Sequence, residues 1–218
     1  MTSATREVLR GSAPPDELGS SPAPECFARN QYFDRTHAKQ AAKLLPGEYY
    51  VAKRDMLLVT VLGSCVAACI RDVKTGTGGM NHFMLPDEAG EGSAGGARYG
   101  VYAMEVLINH ILKLGARREN LEAKVFGGGN VLPGLVQANV GHKNAAFVLR
   151  FLATEHIRVA ARDLADVHPR KVYYFPATGR ALVKRLATLH NDTVLAREID
   201  YRQRLVEAPS GGDIELFD

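Results

Sequence analysis

Residues 56–62 (MLLVTVL) make a continuous apolar run of strand length. A strand of that pattern is buried on both faces, so the chain has to fold in layers that cover it above and below. Gly63-Ser64 interrupts the run, and residues 65–72 (CVAACIRD) read as another strand. The segment Val73-Lys74-Thr75-Gly76 carries turn chemistry, and residues 78–85 (GGMNHFML) return as a strand stopped by Pro86.

Residues 48–53 (EYYVAK) alternate as a strand does, and residues 121–126, 157–161, 171–175 and 180–186 supply further strands, the last two joined through Thr178-Gly179. Residues 101–114 give the clearest helix, with Val101, Met104, Ile108, Ile111 and Leu112 on one face and Gly115 placed to end it. Residues 144–156 repeat that amphipathic pattern. Residues 35–45 (RTHAKQAAKLL) read as a short helical turn or docking segment ending at Pro46-Gly47, and residues 87–97 as a Gly-rich mobile loop. Residues 1–34, rich in Ser, Pro, Ala and Gly, are expected to be a disordered tail, 35–205 one domain, and 206–218 a flexible tail. Many short strands and two good helices predict an α/β fold of mixed sheets covered by helices on one side.

With 218 residues, 46% of them apolar, the chain can bury one sizeable core. A formal charge of +3 with no block of like charges gives no footprint for nucleic acid or a membrane surface. Neither a signal-type apolar stretch nor a membrane-length run is present, and three cysteines do not make a disulfide framework, so a reducing cytoplasm is the expected setting.

A free thiol there can act as a nucleophile. In an antiparallel pair, opposed residues share a constant sum of residue numbers. A tight turn at Val73-Lys74 pairs Asp72 with Thr75, a sum of 147 that Cys65 and His82 share. In that register their Cβ atoms stand about 4.5–5.5 Å apart. A turn two residues longer gives 149 and leaves the pair diagonal on the same face, whereas an even sum would separate them. A Cys beside a His is the minimal unit of thiol catalysis, because the imidazole takes the proton and stabilises the thiolate. Backbone N–H groups at Gly63 and Ser64 are candidates to hold an oxyanion, and Asn81, on the opposite strand face from His82, is a candidate for support.

Other readings compete. Taken singly, Cys65 and His82 each fit an ordinary structural role, as do Cys69 in its apolar strand and Cys26 at the edge of the tail. Zinc held by Cys65, Cys69 and His82 lacks a fourth ligand, and two strand residues four apart are about 13 Å apart, too far to share an ion. Gly127-Gly128-Gly129 lacks the GxxxxGK[ST] pattern of a phosphate cradle and suits close backbone packing instead. His110, on the first helix, and His142, in a Gly-Lys-flanked loop, are expected to be structural or solvated.

The stretch 43–86, with the blocks PGEYYV, LVTVLGSCVA and GGMNHFMLP, closely resembles the proteobacterial form of the CheD family of chemoreceptor glutamine deamidases. The likeness runs on through Arg98-Tyr99-Gly100, residues 124–130 (KVFGGGN) and Asn144-Ala145 to about residue 187. The resemblance implies two packed mixed sheets with helices on one side, similar to the catalytic domains of deamidating toxins. It implies hydrolysis of receptor glutamine carboxamides to glutamate and ammonia, and in some members of glutamyl methyl esters. The family's catalytic Cys and His fall on Cys65 and His82, and its third member, a Thr, on Thr60; in some relatives that Thr stands one place earlier, where this chain has Val59. No cofactor is implied. The implied partners are chemoreceptor cytoplasmic helices and, in some bacteria, a CheC-type phosphatase. Relatives often carry Gly-Gly after the Asp matching Asp163, where this chain has Leu164-Ala165-Asp166-Val167. A non-catalytic chemotaxis adaptor and a thiol hydrolase acting on a small amide or ester remain as alternatives to the deamidase.

Overall fold

A computed structural model of the protein describes residues 27–85, 94–131, 140–186 and 192–207. The apolar run becomes strand β4 (Leu57–Leu62), buried at every position but Val61. It lies in a five-stranded sheet in which β1 (Asn30–Asp34) pairs with β2 (Lys39–Leu44), β2 with β4, β4 with β9 (Arg170–Phe175), and β9 with β10 (Arg180–Arg185). The second five-stranded sheet runs β3 (Tyr49–Ala52), β6 (Gly78–Asn81), β5 (Val66–Asp72), β7 (Leu121–Gly127) and β8 (Arg158–Leu164). Each sheet is mixed, since β2–β4 and β7–β8 are parallel and the other pairs antiparallel.

The sheets pack face to face. Leu58, Leu62, Val172 and Tyr174 of the first share one apolar core with Ala67, Cys69 and Met80 on the facing side of the second. Helices α1 (Ala94–Lys113) and α2 (Val140–Thr154) cover the second sheet, α1 over β3 and β6 and α2 over β5 and β8. Met104, Leu107, Ile111, Val148 and Leu152 are buried there, each Leu contributing about 1.5–3 kcal/mol. This is the expected layered α/β fold with helices on one side. Among the described residues a third helix, α3 (Asp192–Glu207), lies outside these layers.

The structure corrects several local expectations. Residues 35–45 form no helix: they hold a turn and β2, closing a hairpin in which Asp34 Oδ1 accepts the His37 N–H at 2.9 Å. The expected tail 1–34 is too long, since Phe27 and Ala28 are buried and Asn30–Asp34 is a strand; residues 1–26, Cys26 included, lie outside the described residues. Helix α1 begins at Ala94, inside the expected loop 87–97, whose residues 87–93 lie outside the described ones. His142 stands on α2, not in a loop. The expected C-terminal tail 206–218 starts within α3, and residues 208–218 fall outside the described residues.

The β5–β6 register also differs from the tight-turn expectation. Cys69 faces Met80 and Arg71 faces Gly78, a sum of 149. The turn is longer because Asp72 Oδ1 accepts the N–H groups of Lys74 (2.7 Å) and Thr75 (3.0 Å), and Gly76, at φ 74°, donates to Asp72 O. Cys65 and His82 are therefore diagonal, on one face of the sheet.

Candidate active site

The chain changes sheets between β4 and β5, and Gly63, Ser64 and Cys65 are the crossing residues. Their carbonyls are all taken on one side. Gly63 O accepts the Gly129 N–H (2.8 Å), Cys65 O the Gly128 N–H (2.7 Å), and Ser64 O the Asn144 side-chain amide (2.9 Å). Gly127, at φ 106°, lets this approach happen: a Cβ there would lie 2.2 Å from Cys65 O. The glycine run thus serves close backbone packing, as its sequence suggested. With the carbonyls pinned, three successive N–H groups face the other way and form an anion-binding nest.

Glu198, on α3, fills that nest. Its Oε1 accepts the N–H of Gly63 (2.9 Å) and of Cys65 (3.1 Å). Its Oε2 accepts the Ser64 N–H (2.9 Å) and the Ser64 hydroxyl (2.7 Å). A carboxylate buried to this degree is tolerable only with such donors.

His82 follows β6, its backbone tied to the β2–β3 connection through Glu48 O and the Gly47 N–H. Its ring crosses to the first sheet, where Nδ1 lies 2.8 Å from Thr60 Oγ1. The Thr60 hydroxyl donates its one proton to Leu44 O at 3.0 Å. It can therefore only accept from His82, which puts the imidazole proton on Nδ1 and leaves the Nε2 lone pair free. Nε2 is buried and has no hydrogen-bond partner. The Cys65 sulfur, an imidazole nitrogen of His82 and a Glu198 carboxylate oxygen all lie within 4.8 Å of one another. Thr60 rather than Val59 reaches the ring, because Val59 points to the opposite face, packing with Leu57, Ala41 and Phe175.

Burial dominates the electrostatics. It pushes the Cys65 thiol well above its ordinary value, and the Glu198 charge adds to that effect. Burial lowers His82 to about 4, against an opposing pull from Glu198. With Glu198 in place both groups are thus neutral near pH 7.

The structure brings together Cys65, His82, Thr60, Gly63 and Ser64. It does not bring Asn81, whose Oδ1 accepts the Ala68 N–H (2.9 Å) and whose Nδ2 donates to Ala103 O (3.0 Å), fastening β6 to β5 and α1. Cys69 is buried in the core and belongs to no cluster of metal-ligating groups among the described residues. His110 is structural, half-buried against Phe27 and Tyr49. Glu198 escaped the sequence reading. Its only signal is an acid on the otherwise apolar row Val194, Tyr201 and Leu205 at helical spacing.

In this layered α/β protein a thiol, an oriented imidazole and an anion nest meet at a sheet crossover, the set of groups that hydrolysis through a thiol nucleophile requires. The CheD chemotactic sensory transduction family profile matches residues 84–185. The chain is 66% identical over 194 residues to "Probable chemoreceptor glutamine deamidase CheD 1" of Dechloromonas aromatica, covering 88% of this chain and 96% of that one. It is 63% identical to "Probable chemoreceptor glutamine deamidase CheD" of Janthinobacterium sp. (strain Marseille), covering 88% and 97%. With the protein of the same name from Methylobacillus flagellatus it shares 57% identity over 91% and 100%. The chain belongs to the CheD family. No helix among the described residues is long and apolar enough to cross a membrane.

Proposed function

We propose that this chain hydrolyses glutamine carboxamides on the cytoplasmic helices of chemoreceptors, with Cys65 as nucleophile. One observation carries the reading: the Thr60–His82 hydrogen bond fixes the imidazole so that its basic nitrogen is unpartnered and buried beside a thiol and three backbone donors. The naming of the relatives supplies the substrate.

The reaction has two halves. His82 Nε2 takes the Cys65 proton and the thiolate attacks the glutamine Cδ, placing negative charge on its oxygen. The N–H groups of Gly63, Ser64 and Cys65 hold that oxyanion. As it collapses, the C–N bond breaks and His82 returns the proton, so ammonia leaves and a Cys65 thioester remains. His82 then takes a proton from water, the hydroxide adds, and the C–S bond breaks to release glutamate and the thiol. The sum is carboxamide plus water to carboxylic acid plus ammonia. Thr60 is a positioning residue, setting the tautomer of His82.

A glutamyl methyl ester offers the same carbonyl with methanol as leaving group, so the same residues serve ester hydrolysis. The setting is the cytoplasm, where the thiol stays reduced. A CheC-type phosphatase is the second proposed partner. Incubating the protein with receptor cytoplasmic fragments and mapping Gln-to-Glu conversion tests the assignment. Conversion by the wild type that is lost in Cys65→Ala supports it; receptor binding without conversion would leave an adaptor instead.

A further inference from the structure

Helix α3 lies on the outside of the layered body, with Tyr201 and Leu205 packed against its core. No strand or other helix runs closely alongside it among the described residues. Arg197, Ile199, Asp200, Gln203 and Arg204 are exposed, whereas Glu198 and Tyr201, one turn apart, are buried. Tyr201 lays its ring over Gly47 and joins its hydroxyl to that of Tyr99. The attachments of the helix thus include Tyr201 and Leu205, packed on the core, and Glu198, an acid inserted into the site. Hollows flank it on both sides, one beside Ser64, Met84 and Ile199, the other beside Pro46, His82 and Arg197, and Glu198 lines both, so α3 separates the Ser64 side of the site from the His82 side.

The inserted group has the chemistry of the reaction's own product. Hydrolysis of a glutamine side chain leaves a glutamate side chain, and Glu198 presents one to the nest that would hold the carbonyl oxygen of the substrate. We propose that α3 is a tethered product mimic: Glu198 occupies the position of the reacted side chain and closes the site until a glutamine-bearing helix displaces it. This rests on the deamidase reading for the identity of the displacing helix, though the closure itself does not. The electrostatics agree, because the seated carboxylate adds to burial in keeping the Cys65 thiol protonated. A closed enzyme is then unreactive toward stray electrophiles as well as toward free amides.

Closure lowers the apparent affinity for substrate by the fraction of molecules that are open. Steady-state deamidation of a receptor cytoplasmic fragment and the rate of Cys65 alkylation by iodoacetamide are measured on full-length wild type, Glu198→Ala and Tyr201→Phe. Glu198→Ala is expected to lower KM about tenfold with kcat preserved, and to speed alkylation by a similar factor. Tyr201→Phe loosens α3 without touching the nest, so it shifts both in the same direction by less. It also carries the test if Glu198→Ala does not fold. A fall in kcat for folded Glu198→Ala would overturn the proposal by placing Glu198 in the catalytic machinery. Unchanged KM and unchanged alkylation in the folded variants would overturn it as well. If no protein deamidates the fragment but alkylation still accelerates, closure stands and the substrate assignment falls.

Discussion

Thr60 and His82 meet across the two sheets, hydroxyl to Nδ1 at 2.8 Å, and the direction of that bond is set by a third group, the Leu44 carbonyl that takes the hydroxyl proton. Parallel pairing of β2 with β4 puts Leu44 directly beside Thr60, so the tautomer of the imidazole is written into the sheet register. Thr60→Val keeps the shape and removes the acceptor. The expected result is a fall in kcat of about 10- to 100-fold on a receptor fragment with the fold retained, and recovery of most activity in Thr60→Ser. An undiminished kcat in Thr60→Val would remove Thr60 from the site.

The depressed basicity of His82 links stability to pH. Burial lowers it from the ordinary 6.5 to about 4 in the folded protein. Between those values the unfolded chain binds a proton that the folded one does not, so stability is full above about pH 6.5 and declines as pH falls toward 4. The loss expected from this one group is of the order of 2–3 kcal/mol. Urea unfolding between pH 4 and 7 checks it, and His82→Gln should flatten the slope.

Gly63 leaves room for the carboxyl group at the nest. A Cβ there would stand 2.8 Å from Glu198 Oε2, 2.9 Å from Oε1 and 2.9 Å from Val131 Cγ2. Gly63→Ala should fill the space that a substrate carbonyl needs and cut kcat/KM about 100-fold or more. It should also expel Glu198, so Cys65 alkylates faster even as deamidation is lost. Slower alkylation would contradict this picture of the nest.

Residues 165 and 166 brace the glycine run: the Ala165 N–H donates to Gly127 O and the Asn130 N–H to Asp166 O. Both take left-handed backbone angles, φ 63° for Ala165 and 76° for Asp166. Asp tolerates that region better than Ala does. Ala165→Gly relieves the strain at the cost of extra chain entropy in the unfolded state, and should stabilise the protein by about 0.5–1 kcal/mol, seen as a higher Tm.

The residues at the centre of the site were legible because local sequence carries them. Gly63-Ser64 marks the break between two buried strands, and the parity of the β5–β6 register survives a change of turn length, so Cys65 and His82 share a face at a sum of 149 as they would at 147. Of the two turn lengths the sequence allows, the longer is selected by the Asp72 carboxylate, which holds it open and also accepts the Arg117 N–H (2.9 Å), a contact no local pattern announces. Residues 39–44 (KQAAKL) have helix-favouring composition, but pairing with β4 buries Ala41, Ala42 and Leu44, and tertiary context overrides propensity. Glu198 is separated from Ser64 by more than half the chain, and nothing at either position encodes the contact.

The most direct measurement is acid-quenched mass analysis of the enzyme during turnover of a receptor fragment. The expected result is a transient thioester between the substrate glutamyl group and the Cys65 peptide, absent in Cys65→Ala, which releases no ammonia. Release of ammonia at the wild-type rate by Cys65→Ala would contradict it.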